Sequence, residues 1–298
     1  MLGSVHSSVK NYYGKVLGSS KDLRTSACTA SGSASPHPLI RQALSLVPPA
    51  VTERFYGCGN PVPLGIEGKD VLDLGCGSGR DCYVAAVLVG AGGSVTGVDM
   101  TEEQLHVARQ SVGEFERIKN ISAARLRFLH GYAEDLAAAG VADSSVDVCI
   151  SNCVVNLSPD KPRVLHAVFR ALRDGGELHI ADICADAPLP APLRTHPLLL
   201  GECLGGALLF RDFEAIAQAA GFARPRVVSV THVAINDGEL GHLVGSVNFF
   251  SITYRLFKLS DAPQTECRAV MYLGSVAGCE DCYVLDVDNT FVRDEPTA

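Results

Sequence analysis

The chain is sparing with charge, and nowhere do its lysines and arginines gather. Only 19% of its 298 residues are charged, and 33 acidic residues outnumber 25 basic ones, for a net charge of -8. Phosphate contacts dominate the affinity of nucleic-acid-binding proteins, so that task is excluded as the main one. Long apolar runs are also missing. The longest, Val84 to Val89, falls far short of a membrane span of about 20 residues. The first residues, MLGSVHSSVK, lack the apolar core of a secretory signal. No internal repeat is visible. These absences lead us to expect a soluble, cytoplasmic monomer with neither nucleic acid nor membrane as partner. In that compartment thiols stay reduced, so a disulfide scaffold does not explain the 11 cysteines. The cysteines are therefore the composition's most unusual property.

What is present suffices for one sizeable core plus a smaller unit, since 47% of residues are hydrophobic. Residues 1–67 look irregular, with a small helical piece and a small-residue stretch, ACTASGSASPHP. From residue 68 strands and helices alternate. VLDLG, SVTGVD, RLRFLH, VDVCIS and GGELHIAD read as strands. RDCYVAAVLV, residues 101 to about 119, and DKPRVLHAVFRALR read as helices, and Thr101 with Gln104 predicts a capping box. Such alternation predicts an α/β fold with a parallel sheet covered by helices on both faces. After residue 188 a Pro-rich then Gly-rich stretch suits a lid. It precedes a helix, RDFEAIAQAAGF, and strand-like runs PRVVSV, FFSITYRLFKL and AVMYLGSV, expected to form a smaller mixed α+β unit. The expected divisions are 1–67, 68–187 and 188–298.

VLDLGCGSGR places Gly75, Gly77 and Gly79 directly after a strand, where glycine lets the backbone turn sharply and approach a ligand. The third glycine comes one residue earlier than in the dinucleotide pattern, and the acidic Asp73 precedes the loop. This arrangement resembles the class I methyltransferases that use S-adenosylmethionine, and the resemblance implies their Rossmann-like sheet. Asp99, at the end of the second strand, is placed to accept ribose hydroxyls, and Met100 to pack on adenine. GYAED at 131–135 follows the third strand, with Ala133 and Glu134 as candidates beside the adenine amine.

Longer motifs narrow the likeness. NYYGKVLGSSKDLRTSAC, FYGCG, ISNCVVNLSPDK and LLGECLGGALLFRDF, with DLGCGSGRDCY and TGVDMT, closely resemble the trivalent-arsenic methyltransferases from about Val9 to Lys258. The resemblance implies that Cys153 and Cys203 bind arsenic, with Cys58 as third ligand. It further implies that Cys28 pairs with Cys58 in redox steps, and that the YYG segment, with Tyr12, folds over the cofactor, where an aromatic face stabilises a sulfonium. Asn152 joins the cofactor set, and it and Asn156 flank Cys153 as candidates to orient a loop or a cofactor carboxylate. Glu202 is expected to make a local hydrogen bond and to have no catalytic role.

The chemistry is consistent with that implication. Trivalent arsenic is soft and prefers thiolates. Arsenite condenses with three thiols, losing its hydroxides as water, and keeps a lone pair free to accept a methyl group. Alignment of the reactants is then the enzyme's main work, and can supply roughly 7–11 kcal/mol. No general base is needed, in keeping with the lack of a His/Asp dyad. Each transfer oxidises arsenic by two electrons, which two neighbouring thiols can return as a disulfide, later reduced by glutathione or thioredoxin.

Other cysteines read differently. Cys76, Cys82, Cys149 and Cys184 are expected to be core or turn filler. Cys279 and Cys282 form a C-x-x-C that reads as a surface accident, an accessory arsenic trap or a redox pair. PVPLGIEG, THPLLL and the Leu-Phe after GGAL depart from the family pattern and bear on the choice between inorganic and methylated substrate. Two further functions stay open: a small-molecule O-, N- or C-methyltransferase, and a metalloid-binding protein without catalysis.

Overall fold

The computed structural model describes residues 2–19, 22–25, 27, 36–119, 125–259 and 269–297. The N-terminal part is more helical than its composition predicts. It holds α1 (Leu2–Asn11), a π-helical turn (Tyr12–Val16), α2 (Pro38–Leu44) and α3 (Pro49–Thr52). Pro38 and Pro49 both stand at helix starts, where the missing N–H costs nothing. The alternating region then runs β1 (Asp70–Leu74), α4 (Arg80–Val89), β2 (Ser94–Asp99), α5 (Glu102–Gln110), α6 (Val112–Lys119), β3 (Leu126–His130), β4 (Val146–Asn152), α7 (Lys161–Ala171) and β5 (Leu172–Ala185). Short helices α8 (Ala191–Arg194) and α9 (Pro197–Gly201) lead into β6 (Leu208–Leu209), α10 (Phe210–Ala219), β7 (Arg226–Val233), α11 (Gly238–Val244) and β8 (Phe249–Phe257).

One mixed sheet organises the molecule, in the order β3-β2-β1-β4-β5-β8-β7, with β6 beside β5. The pairs among β1 to β5 are parallel, and β8 is antiparallel to both β5 and β7. The sheet therefore draws strands from both sides of residue 188. Alternation along the strands feeds two cores. In β4, Val148 and Ile150 face the core built with α2, α4 and α5, while Cys149 faces the core built with α7 and α10. Cys149 is fully buried, as expected of packing. AVMYLGSV contributes only β9 (Val270–Met271), which pairs with β12 (Pro296–Thr297), while β10 (Cys282–Val284) pairs with β11 (Thr290–Val292).

Two local expectations fail. The helix expected from Thr101 to Lys119 breaks at Ser111, whose hydroxyl donates back to the Val107 carbonyl and competes with the helical ladder. The capping box does not form either. The Thr101 side chain makes no cap bond, and Gln104 Nε2 instead donates to the Tyr13 carbonyl at 2.8 Å. Among the described residues no helix is long and apolar enough to cross a membrane.

Candidate active site

Strand β1 lies between β2 and β4, and the chain leaves it in opposite directions on its two sides. Ligands bind outside the carboxyl ends of strands at such a switch point. A cavity opens there, lined by residues of the glycine loop and of the strand ends. Of the expected cofactor residues, Asp73, Gly75, Gly77, Asp99, Met100, Ala133, Glu134 and Asn152 line it. Gly75, Gly77 and Gly79 all take positive φ, 67°, 52° and 92°, so the loop turns as only glycine does at little cost. Gly79 caps α4 rather than lining the cavity. Tyr12 does not line it either, whereas Tyr13 does. The Tyr12 ring lies on Gly201, and its hydroxyl donates to Glu202 at 2.8 Å.

The carboxylates are partly committed. Asp99 accepts from Gly77 N at 2.9 Å and Thr101 N at 2.7 Å, yet burial still raises its pKa above the carboxylate norm. Burial and the neighbouring Asp81 push Asp73 well above that norm. Glu134 accepts from Ser158 and bonds His6 of α1 at 3.0 Å, so the first helix closes one side of the cavity. Asn152 spends its amide on protein. Its Oδ1 accepts from Cys58 N at 2.9 Å, and its Nδ2 donates to Gly59 O at 3.0 Å and Asp81 Oδ2 at 2.9 Å.

The three expected arsenic ligands come together beside this cavity. Cys58, Cys153 and Cys203 come from widely separated segments and share one buried apolar cluster, at 3%, 2% and 0% exposure. Of the three, Cys153 alone also borders the cofactor cavity. Cys203 Sγ donates to the Cys153 carbonyl at 3.5 Å, and the Tyr13 hydroxyl lies 3.5 Å from Cys203 Sγ. Burial raises the Cys58 pKa, although hydrogen bonding to Cys153 partly offsets it. Cys153 and Cys203 both adopt left-handed backbone, with φ 59° and 60°. That conformation costs an ordinary residue about 1–2 kcal/mol, so the fold holds both sulfurs against local preference. Close backbone packing explains how the loops meet. A Cβ at Gly206 of the GECLGG loop would lie 1.8 Å from the Asn156 carbonyl. Cys28 lies outside the described residues.

Residues 67–221 match the family model described as a methyltransferase domain. An arsenite methyltransferase from Aquipseudomonas alcaligenes is 49% identical over 95% of this chain and 81% of its own length. The mouse arsenite methyltransferase is 44% identical over 99% of this chain and 78% of its own. The chain belongs to the arsenite methyltransferase family. A solved arsenic (III) S-adenosylmethionine methyltransferase from Chlamydomonas reinhardtii matches this family member with a TM-score of 0.82 and 47% identity, covering 88% of this chain and 89% of that one.

In this arsenite methyltransferase family member, sequence reasoning missed two acidic groups. Glu202 was expected to bond locally, but its partners are 177–190 residues away. It accepts from the Tyr12 hydroxyl and Arg24 N on one oxygen, and from Thr25 N and the Thr25 hydroxyl on the other, at 2.7–2.9 Å. It is fully buried and ties the segment before Cys28 to the Cys203 loop. Asp182 is buried beside the thiol cluster, and burial with the nearby Cys203 lifts its pKa to about 7. A signal for Asp182 was present: it is a carboxylate set between apolar residues, Ile180 and Ala181 before it and Ile183 after it, within a strand that is buried around it.

Proposed function

We propose that this protein methylates trivalent arsenic held by Cys58, Cys153 and Cys203, with S-adenosylmethionine as methyl donor. One observation carries the reading: three thiols from distant segments gather in one buried cluster, and Cys153 also borders the cavity of the glycine loop.

The residues present fit the donor. It carries two positive centres and a ribose, and the cavity offers Asp73, Asp99 and the backbone of a glycine turn, with Met100 and Ala133 as apolar lining. When bound, S-adenosylmethionine supplies an electrophilic methyl group. The protein's own part begins with the thiols. Arsenite is an uncharged trihydroxide, and each Cys proton leaves with an arsenic hydroxide as water. Neutral, buried thiols therefore suffice, in keeping with the raised pKa of Cys58. Cys58 is clipped in place by Asn152 through its N–H and by Ser251, whose hydroxyl donates to its carbonyl at 2.8 Å. The arsenic lone pair takes the methyl group, and arsenic rises from trivalent to pentavalent. Cys28 and Cys58 return the two electrons by forming a disulfide, and glutathione or thioredoxin restores the thiols.

Arsenic X-ray absorption on the loaded protein tests the ligand set. Three sulfur neighbours are expected in the unaltered chain, with an oxygen replacing one in Cys203→Ser. An unchanged sulfur count in both Cys153→Ser and Cys203→Ser would overturn it.

A further inference from the structure

A second pair of thiols lies under the glycine loop. A Cβ built on Gly97 of β2 would sit 2.7 Å from Cys76 Sγ and 2.8 Å from Cys82 Sγ. Both sulfurs therefore crowd one point of the β2 backbone, and glycine is required there because they fill the space. Cys76 stands between Gly75 and Gly77 and borders the cofactor cavity, while Cys82, in the first turn of α4, is fully buried behind it. Cys82 Sγ donates to Asp73 Oδ2 at 3.1 Å, which links the pair to one of the candidate cofactor carboxylates.

We propose that Cys76 and Cys82 form a second binding site for trivalent arsenicals, whose occupation excludes S-adenosylmethionine. The inference rests on the reading of the cavity as the cofactor site, not on the three-thiol cluster. The chemistry suits this pair. Burial pushes both thiols up, Cys76 to about 11, so they are poor thiolate nucleophiles. Condensation with an uncharged arsenical does not need the thiolate. An organoarsenic oxide forms two As–S bonds, and its oxygen departs with the two thiol protons as one water, without change of oxidation state. Soft trivalent arsenic favours that exchange.

Two effects would then oppose the cofactor. The Cys82 proton that Asp73 now accepts is gone. The third substituent on arsenic has only the cavity to occupy, because Gly97 and the core close the other sides. Linkage makes the exclusion reciprocal: the cofactor must weaken the arsenical by the factor by which the arsenical weakens the cofactor.

Phenylarsine oxide is the probe, because it needs two thiols. In the full chain carrying Cys58→Ser, Cys153→Ser, Cys203→Ser and Cys279→Ser, which removes the three-thiol cluster and breaks the C-x-x-C pair, one equivalent is expected to weaken S-adenosylmethionine binding at least tenfold by calorimetry. Adding Cys82→Ser is expected to abolish that effect. Unchanged cofactor affinity in the first chain, or loss that persists in the second, would overturn the proposal. A second measurement uses the unaltered chain. After treatment with the arsenical, denaturation and iodoacetamide, Cys76 and Cys82 should escape alkylation, and saturating S-adenosylmethionine should restore it. Alkylation of both without the cofactor would equally overturn the site. Neither readout depends on methyl transfer, so a failure here is separable from failure of the arsenite reading.

Discussion

At Cys203 the backbone sits at φ 60° around a fully buried sulfur, and the same strain recurs at Cys153. Glycine would relieve it. In most structured positions glycine is less stable than alanine, but here the order should invert. Chemical denaturation is expected to find Cys203→Gly more stable than Cys203→Ala by about 1 kcal/mol. Glu202 acts at a different distance. With four donors from Tyr12, Arg24 and Thr25 on its carboxylate, Glu202→Ala should free the segment before Cys28. Arsenite methylation is expected to fall at least tenfold, while calorimetry finds S-adenosylmethionine binding nearly intact. Asp182 gives a pH signature. Its carboxyl is raised from 3.8 to about 7, so the folded state favours the neutral form. Its contribution is whole below pH 4 and is lost as pH rises through about 7. Relative to Asp182→Asn, the unaltered chain should lose stability across that window, on the order of 4 kcal/mol, as read from denaturation midpoints. A flat difference would remove the buried ionisation.

Among the elements, the β5–β8 ladder joins the parallel half of the sheet to its antiparallel edge through nine residue pairs, Glu177↔Phe257 to Ala185↔Phe249. A buried ion pair crosses it. Arg255 grips Glu177 with two hydrogen bonds at 2.8 and 3.0 Å and also donates to the Tyr283 hydroxyl of β10. Removing one partner strands a buried charge, so Glu177→Ala should cost roughly 3–5 kcal/mol in urea unfolding. The parallel elements β1 to β5 were legible because each carries an apolar stretch between turn signals, although β5 runs past the expected GGELHIAD at both ends, and α4 matched its motif from end to end. The pairing of β8 with β5 and of β7 with β8 was not, since periodicity shows that a strand exists but not which edge it joins. Ser111 and Gln104 illustrate the same limit for helices. One hydroxyl ended α5 early, and one amide was drawn away to Tyr13, a partner 91 residues distant.

For the molecule as a whole, the site is built where the N-terminal segment, the strand ends and the loops after β4 and α9 converge. α1 supplies His6, the strand ends supply the carboxylates, and the loops after β4 and α9 supply Cys153 and Cys203. The cysteines of the cluster were legible because long motifs surround each one. Glu202 was not, because its partners come from a distant segment and leave no local pattern. Tyr13, rather than Tyr12, lines the cavity, although both hydroxyls reach the Cys203 loop, Tyr12 donating to Glu202 and Tyr13 to the Gly201 carbonyl. A ligand that binds only the folded chain stabilises it by about 2.7 kcal/mol at 100 times its dissociation constant. S-adenosylmethionine should therefore raise the melting temperature, and Asp99→Ala should abolish most of that rise. The central claim, that the chain turns arsenite into methylated arsenicals, is met most directly by chromatographic speciation of arsenic. With arsenite, S-adenosylmethionine and glutathione supplied to the purified protein, methylated arsenicals are expected to accumulate and to vanish in Cys153→Ser. Arsenite recovered without any methylated product would contradict the account.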